Sequence, residues 1–387
     1  MRLLDTTMFW NPTGGVRRYI GAKRRWAESL GGCTHVVATP RPDVPGDVRV
    51  PSLPLPGTHG AYRYPWPRRL IASRLCDVHP DLIESADPYQ LGWASVDAAQ
   101  RLAIPAVAFC HSDPDTVARL LGGGFCADAL RRVARRRLRA LYANFDLVLA
   151  PSEAMAAKLR ELRIARVQHQ PLGVDTSVFH PRHHSQCWRD GLQLPGDARL
   201  LVYAGRFAPE KNLPQLVQVL ARLGDRYWLL AIGDGPCPPQ GRRVLLRPAL
   251  HRDVALATAL ASADLFVHAG AEETFGLSVL EAMACGVPVV ARAAGGLAEL
   301  VDDSVGAAVS NHHPNATFVD AFAEGVAEQF RRDRQRLGHA ARARALTYSW
   351  DRVFKSLWSR YGLLCQGRPA PSMPDAQRIE GALRRSV

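Results

Sequence analysis

From Leu200 to Ser310, short apolar runs alternate with helical stretches, and this constrains the fold more than any other feature of the chain. LLVYAG (200–205), YWLLAIGDG (227–235), VLLRPA (244–249), DLFVHAG (264–270), VPVVARA (287–293) and GAAVS (306–310) are short enough to be buried strands. Between them, Leu213–Leu223, Arg252–Ser262 and Phe275–Ala284 read as helices. Strand, helix and strand in repetition predict a parallel sheet with helices on both faces. In such a doubly wound domain, ligands sit at the carboxyl ends of the strands.

The first half repeats the pattern less clearly. Arg2–Phe9 is a candidate strand that ends in the turn Asn11-Pro12-Thr13-Gly14-Gly15 and leads into a helix from Val16 to Leu30. Short apolar runs at His35–Thr39, Leu82–Glu84, Ala106–Cys110 and Leu147–Ala150 read as further strands. Gly173–Pro181 is turn-rich and polar, and the stretch after it to Gly196 has no steady period, so the interdomain connection is placed there. The first domain is counted as residues 1–178, the connector as 179–196 and the second domain as 197–348. Ser349–Leu364 is an amphipathic helix carrying Trp350, Val353, Phe354, Leu357, Trp358 and Tyr361 at helical spacing. Residues 367–387 read as a flexible tail.

A chain of 387 residues has room for two such domains. Its 47% hydrophobic and 22% charged composition excludes disorder, collagen and coiled coil as readings of the whole. The formal net charge of +13 favours an anionic partner: nucleic acid, membrane surface or phosphorylated ligand. The eight cysteines are scattered, with no C-x-x-C pair, and read as reduced, partly buried thiols. The start of the chain lacks the apolar stretch of a signal peptide, and no apolar run is long enough to span a bilayer. The expectation is a cytoplasmic protein that can touch the inner membrane face without crossing it.

Chemistry concentrates at two turns of the second half. Glu273-Thr-Phe-Gly-Leu-Ser-Val-Leu-Glu281 follows one strand and opens a helix. The free N–H groups of that helix start suit phosphate oxygens, and Gly276 keeps the backbone approachable. Eight helical steps separate the two glutamates by on the order of 10 Å, about the reach from sugar to ribose across a diphosphate. Carboxylates accept hydrogen bonds from hydroxyls, so the spacing suits a nucleotide sugar. The strand LLVYAG ends in Gly205-Arg206-Phe207-Ala208-Pro209-Glu210-Lys211-Asn212, which sets two cations on a loop at the same sheet edge. Arginine clamps a diphosphate through its fork and lysine meets it as a point charge. Lys211 is one of only four lysines, with Lys23, Lys158 and Lys355.

Taken together, GRFAPEKN, EETFGLSVLEAMACGVPVVA, the downstream GGLAELV (295–301) and GVDTSVFHP resemble the retaining glycosyltransferases of family 4, which have the GT-B fold. The resemblance runs through most of residues 1–365 and is strongest from about 200 to 301. It implies an α/β architecture of two Rossmann-like, doubly wound parallel-sheet domains facing across a cleft, with the terminal helix 349–366 completing the first. By position it assigns Glu273 to the donor sugar, Glu281 to the nucleotide ribose, and Arg206 and Lys211 to the diphosphate. It also implies that backbone amides at Phe275, Gly276 and Leu277 hold sugar and phosphate. Gly14 and Gly15 would face the diphosphate from the first domain, and His111 would lie near the anomeric carbon. Catalysis would then rest on His111, Glu273, Arg206 and Lys211, with retained anomeric configuration, no cofactor and no metal. The Asp113-Pro-Asp115 triplet matches the metal motif of a different glycosyltransferase fold and is set aside.

Three basic stretches bear on the acceptor. ALRRVARRRLRALY (129–142) is read with Leu130, Val133, Ala134, Leu138, Leu141 and Tyr142 on one helical face and most of its arginines off it. Tyr62–Ile71 interleaves aromatics with arginine, and Arg17, Arg18, Lys23, Arg24 and Arg25 form a third group. Together they suggest an anionic membrane surface. The resulting expectation is hexose transfer from GDP-mannose or a UDP-hexose to a hydroxyl acceptor, a membrane lipid or lipid-linked glycan. The alternatives are a soluble glycan acceptor, phosphorolysis, and an arginine-rich nucleic-acid binder. The last is disfavoured because no recognition module accompanies the arginines.

Overall fold

The computed structural model describes residues 1–10, 14–55, 63–113, 125–249, 253–310 and 317–366. Two parallel sheets organise it. In the first, β1 (Arg2–Thr6), β2 (Thr34–Thr39), β3 (Val48–Arg49), β6 (Leu82–Ser85), β7 (Ala106–Phe109), β8 (Leu147–Ala150) and β9 (Val167–His169) run in the order β3-β2-β1-β6-β7-β8-β9. In the second, β10 (Arg199–Ala204), β11 (Tyr227–Ile232), β12 (Val244–Arg247), β13 (Leu265–His268), β14 (Val289–Arg292) and β15 (Gly306–Val309) run in the order β12-β11-β10-β13-β14-β15. The order in which strands are added reverses between β1 and β6 in one sheet and between β10 and β13 in the other, the pairs themselves being parallel. At such switch points the crossover helices diverge and leave a crevice at the strand ends. The alternation read from the sequence is therefore present in both halves. A small antiparallel pair, β4 (Ser52–Pro54) with β5 (Arg63–Pro65), is an addition that the short, proline-rich run did not announce.

The central strands are uniformly buried, which accounts for their unbroken apolar runs. A continuous apolar cluster joins Leu3, Tyr19 and Phe109 of the first domain, through Leu172, Val174 and Phe179, to Val279, Leu280 and Met283 of the second. The terminal helix Trp350–Gln366 packs on the first domain: Val353, Phe354, Leu357 and Tyr361 are buried, and Trp358 meets Trp26 edge-on at 4.8 Å. Val174 N–H donates to Tyr348 O at 2.9 Å, tying the segment before the connector to the start of the terminal helix.

Of the third basic group only Arg25 is exposed, so the five do not form a surface patch. Lys23 is fully buried, bonded to Asp5 and Glu84 at 2.7 Å each. Arg17 pairs with Asp43, Arg24 with Asp47 at 2.5 Å, and Arg18 with the second domain. Helical spacing placed these side chains on one helix, but the helix lies between sheet and cleft. On Phe125–Tyr142, Leu138, Leu141 and Tyr142 are buried as expected, whereas Val133 is exposed among the arginines, so the apolar face is narrower than its sequence spacing suggested. Tyr62, Asn11–Thr13, Asp115 and the 367–387 tail lie outside the described residues.

Candidate functional site

Three loops converge at the edge of the second sheet. The loop after β10 carries Arg206 and, at the end of a tight turn Pro209–Lys211, Lys211. The loop after β13 carries Glu273. Backbone bonds tie the two loops together: Ala271 N–H donates to Glu210 O at 3.2 Å. Gly276 then opens the helix Leu277–Ala284 with φ +110°, a conformation that favours glycine, and a Cβ there would meet Leu297 at 2.6 Å. The helix starts two residues later than its sequence pattern suggested. The third loop supplies Gly295 and Gly296, which pack directly under the backbone of Glu273–Phe275; Gly296 N–H donates to Glu273 O at 2.9 Å. This packing fixes the Glu273 turn against the sheet.

Lys211 Nζ donates to Glu273 Oε2, and His268 Nε2 lies 3.6 Å from the same oxygen. Burial pushes the Glu273 carboxyl upward, but Lys211 and His268 more than offset it, so the group stays ionised. His268, at the end of β13, is itself lowered to about 4, chiefly by burial, with Lys211 acting in the same direction and Glu273 opposing. It is therefore neutral at pH 7, and its Nδ1 accepts from Gly270 N–H at 3.2 Å. Sequence reading missed His268, although its place at a strand's carboxyl end was a usable signal. Arg206 stays largely exposed and pairs with Glu210 one turn on. Lys211, Glu273 and His268 thus form one cluster, with Arg206 at its open rim.

Glu281 stands apart from that cluster, nearly buried further along the helix. Its partner is Arg18 of the first helix, Gly15–Ser29, which also reaches Asp253 Oδ1 at 3.3 Å. Burial raises the Glu281 carboxyl and Arg18 opposes it, with a net upward shift. Arg18 and Glu281 line an interdomain cavity of about 370 Å³ together with Arg17, Asp175, Asp253 and Trp350.

From the first domain, Gly14 precedes the first helix in extended conformation, and a Cβ on Gly15 would stand 3.1 Å from Leu277. A side chain at Gly15 would have to displace the end of the Leu277 side chain by a few tenths of an ångström. His111 follows β7; its ring stacks on Phe109 at 4.2 Å, and its carbonyl accepts from Thr274 Oγ1 at 3.0 Å. His111 is lowered to about 3, first by burial and then by the nearby Lys23 charge, and its Nε2 has no hydrogen-bond partner among the described residues. The sites read in the two halves therefore face one another. Asp113, by contrast, is engaged by Lys158 at 2.6 Å.

Sequence and structure comparisons show what the chain and its fold are similar to. Residues 185–344 match the glycosyl transferases group 1 family, and residues 13–178 match glycosyltransferase family 4. A "GDP-mannose-dependent alpha-mannosyltransferase" of Mycolicibacterium smegmatis is 34% identical over 84% of this chain and 86% of its own length. A "GDP-mannose-dependent alpha-(1-6)-phosphatidylinositol dimannoside mannosyltransferase" of Mycobacterium tuberculosis is 28% identical over 82% of each chain. Among solved structures, sucrose-phosphate synthase from Thermosynechococcus elongatus superposes with TM-score 0.75 at 21% identity, covering 95% of this chain and 100% of that one. The Anabaena HepE protein in complex with UDP and glucose superposes with TM-score 0.72 at 18% identity, covering 94% and 99%.

Proposed function

The chain belongs to the family 4 glycosyltransferases, and from that premise we propose that it transfers mannose from GDP-mannose, with retention of configuration, to a lipid or lipid-linked hydroxyl. The donor part of the reading draws on the names of the mannosyltransferase relatives. One observation carries it: a lysine and a glutamate from separate loops, Lys211 and Glu273, meet at the switch-point edge of the second sheet, beside a helix start.

In this reading the diphosphate lies against the start of Leu277–Ala284, with Arg206 and Lys211 on its oxygens. These two cations and the backbone amides at Phe275, Gly276 and Leu277 stabilise the charge that develops on the leaving group. They supply positive charge from the protein itself, so the proposed reaction uses no metal. Glu273, ionised, holds the donor sugar's hydroxyls, and Glu281 holds the ribose. Gly14 and Gly15 bring the first domain's backbone up to the diphosphate. His111 is neutral and polarises the sugar without adding charge near the anomeric carbon. The acceptor hydroxyl attacks from the face the leaving group departs, and the departing phosphate oxygen takes its proton. The connector 179–196 divides a donor-side domain from an acceptor-side domain.

The lipid acceptor is supported by a surface of the first domain. Leu53, Tyr64, Trp66 and Leu70 are exposed around the β4–β5 pair, with Arg69 exposed beside them. Aromatic and basic side chains in such company suit a lipid headgroup layer. Among the described residues, no helix is long and apolar enough to cross a membrane.

Purified protein offered GDP-mannose, UDP-glucose and UDP-galactose with lipid extract tests the reading. Labelled mannose entering the lipid phase, insensitive to chelator, supports it. Transfer only to water-soluble glycan replaces the acceptor, and reversible loss on chelation replaces the metal-free mechanism.

A further inference from the structure

Glu281 is the carboxylate the foregoing reading assigns to the donor ribose, and it does not stand alone. Arg18 Nη1 donates to its Oε1 from the other domain. Arg18 Nη2 reaches Asp253 Oδ1 at 3.3 Å, and the guanidinium lies 5.9 Å from the centre of the Phe179 ring. Three elements therefore hold this one side chain: the donor-side helix, the start of the Asp253–Ala261 helix and the connector. Its own helix begins at Gly15, against Leu277. The same helix thus approaches the diphosphate site at its first turn and the ribose carboxylate one turn later.

We propose that Arg18 is a positioning residue that orients the Glu281 carboxylate for the donor ribose and couples ribose binding to closure of the first domain over the donor. The proposal rests on the assignment of Glu281 to ribose. With Oε1 held by Arg18, Oε2 is left for a ribose hydroxyl. A carboxylate must be ionised to accept that hydrogen bond well, and burial works against ionisation here. Among the described residues, the charged and titratable groups that act on Glu281 are Arg18 from the first helix, Asp253 from its helix and Cys285 at the end of the glutamate's own helix. Among them only Arg18 is cationic. It both stabilises the ionised form and makes that stabilisation conditional on the two domains being together.

The test compares wild type, Arg18→Ala, Arg18→Lys and Glu281→Gln. Calorimetry measures the affinity of each for whichever of GDP and UDP the wild type binds, and for its 2′-deoxy and 3′-deoxy counterparts. A lost hydrogen bond to a charged group should cost the wild type about tenfold in affinity. Glu281→Gln should lose most of that discrimination. Arg18→Ala should lose it too, raise the donor KM with a smaller change in kcat, and recover toward wild type as pH is raised and Glu281 ionises unaided. Arg18→Lys should restore part of it. If Arg18→Ala keeps the wild-type discrimination and donor KM while Glu281→Gln loses them, the coupling is overturned and Arg18 is a structural contact. If Glu281→Gln keeps full discrimination, the ribose assignment itself fails, and the proposal with it.

Discussion

Lys23 and Lys211 each neutralise acids near a switch point, one in each domain, yet they sit in opposite settings. Asp5 on β1 and Glu84 on β6 are direct neighbours across the parallel ladder. Lys23 is fully buried and serves both. Tyr19 donates to Glu84 at 3.0 Å, Tyr361 donates to its other oxygen, and His35 holds the second oxygen of Asp5 at 2.8 Å. Burial raises Asp5, but Lys23 and His35 carry it below its ordinary value, while Glu84 is left raised by burial with Lys23 opposing. Every charge in this knot is spent on another part of the fold, including the terminal helix. The Lys211–Glu273 pair is only partly covered, at 14% and 18% exposure, and has Arg206 open beside it. A closed knot fixes structure, whereas a partly open pair can exchange its partner for a ligand.

The difference predicts opposite phenotypes. Lys23→Met should strand two adjacent buried carboxylates, costing about 3–5 kcal/mol of stability. Thermal melting should fall steeply, and activity should vanish with the fold. Lys211→Ala should leave melting close to wild type while turnover drops about 10²–10³-fold, the scale of one lost donor to a developing negative charge. A folded Lys23→Met enzyme with normal melting would erase the distinction, as would near-normal transfer by Lys211→Ala. A finer probe is Tyr361→Phe. It removes the hydroxyl that ties the terminal helix to Glu84, for about 1.5–3 kcal/mol, since the partner is charged. Denaturant midpoints should fall accordingly, with kcat little changed in the molecules that remain folded.

The same contrast explains what could be read from residues alone. Strands of a parallel sheet are buried on both faces, so β7, β8, β13 and β14 appear as unbroken apolar runs. Motif residues at strand ends are local in sequence, so Lys211, Glu273 and the turn at Gly276 could be placed on one sheet edge. Partnership across distance has no such signature. Lys23 reads as one more cation among arginines until its helix is laid over β1 and β6. Arg18 meets Glu281 across 263 positions of chain. His268 has no local motif to mark it: an isolated histidine inside DLFVHAG reads most simply as a strand residue, and its neighbour Glu273 comes from the next turn.

His268 sharpens the comparison by the smallest effect. Its ordinary value is 6.5 and the folded protein lowers it to about 4. Below pH 6.5 the unfolded chain takes up a proton that the native imidazole refuses, so falling pH favours unfolding. The contribution is complete above 6.5, is lost progressively as pH falls from there toward about 4, and levels off once the native ring protonates too. The slope approaches about 1.4 kcal/mol per pH unit for one such group. His111, lowered to about 3 on the facing domain, acts in the same direction, so wild-type stability should fall on acidification faster than either group alone requires. His268→Asn keeps an acceptor for Gly270 N–H and removes the titration. Between pH 6.5 and 5.5, a full unit above the ordinary Glu273 value of 4.5, the difference between variant and wild type isolates the histidine. Chemical denaturation across that window should show the variant losing less stability per pH unit than the wild type. Parallel curves would mean that His268 is protonated in the folded protein, and that Glu273 is flanked by two cations instead of a lysine and a neutral ring.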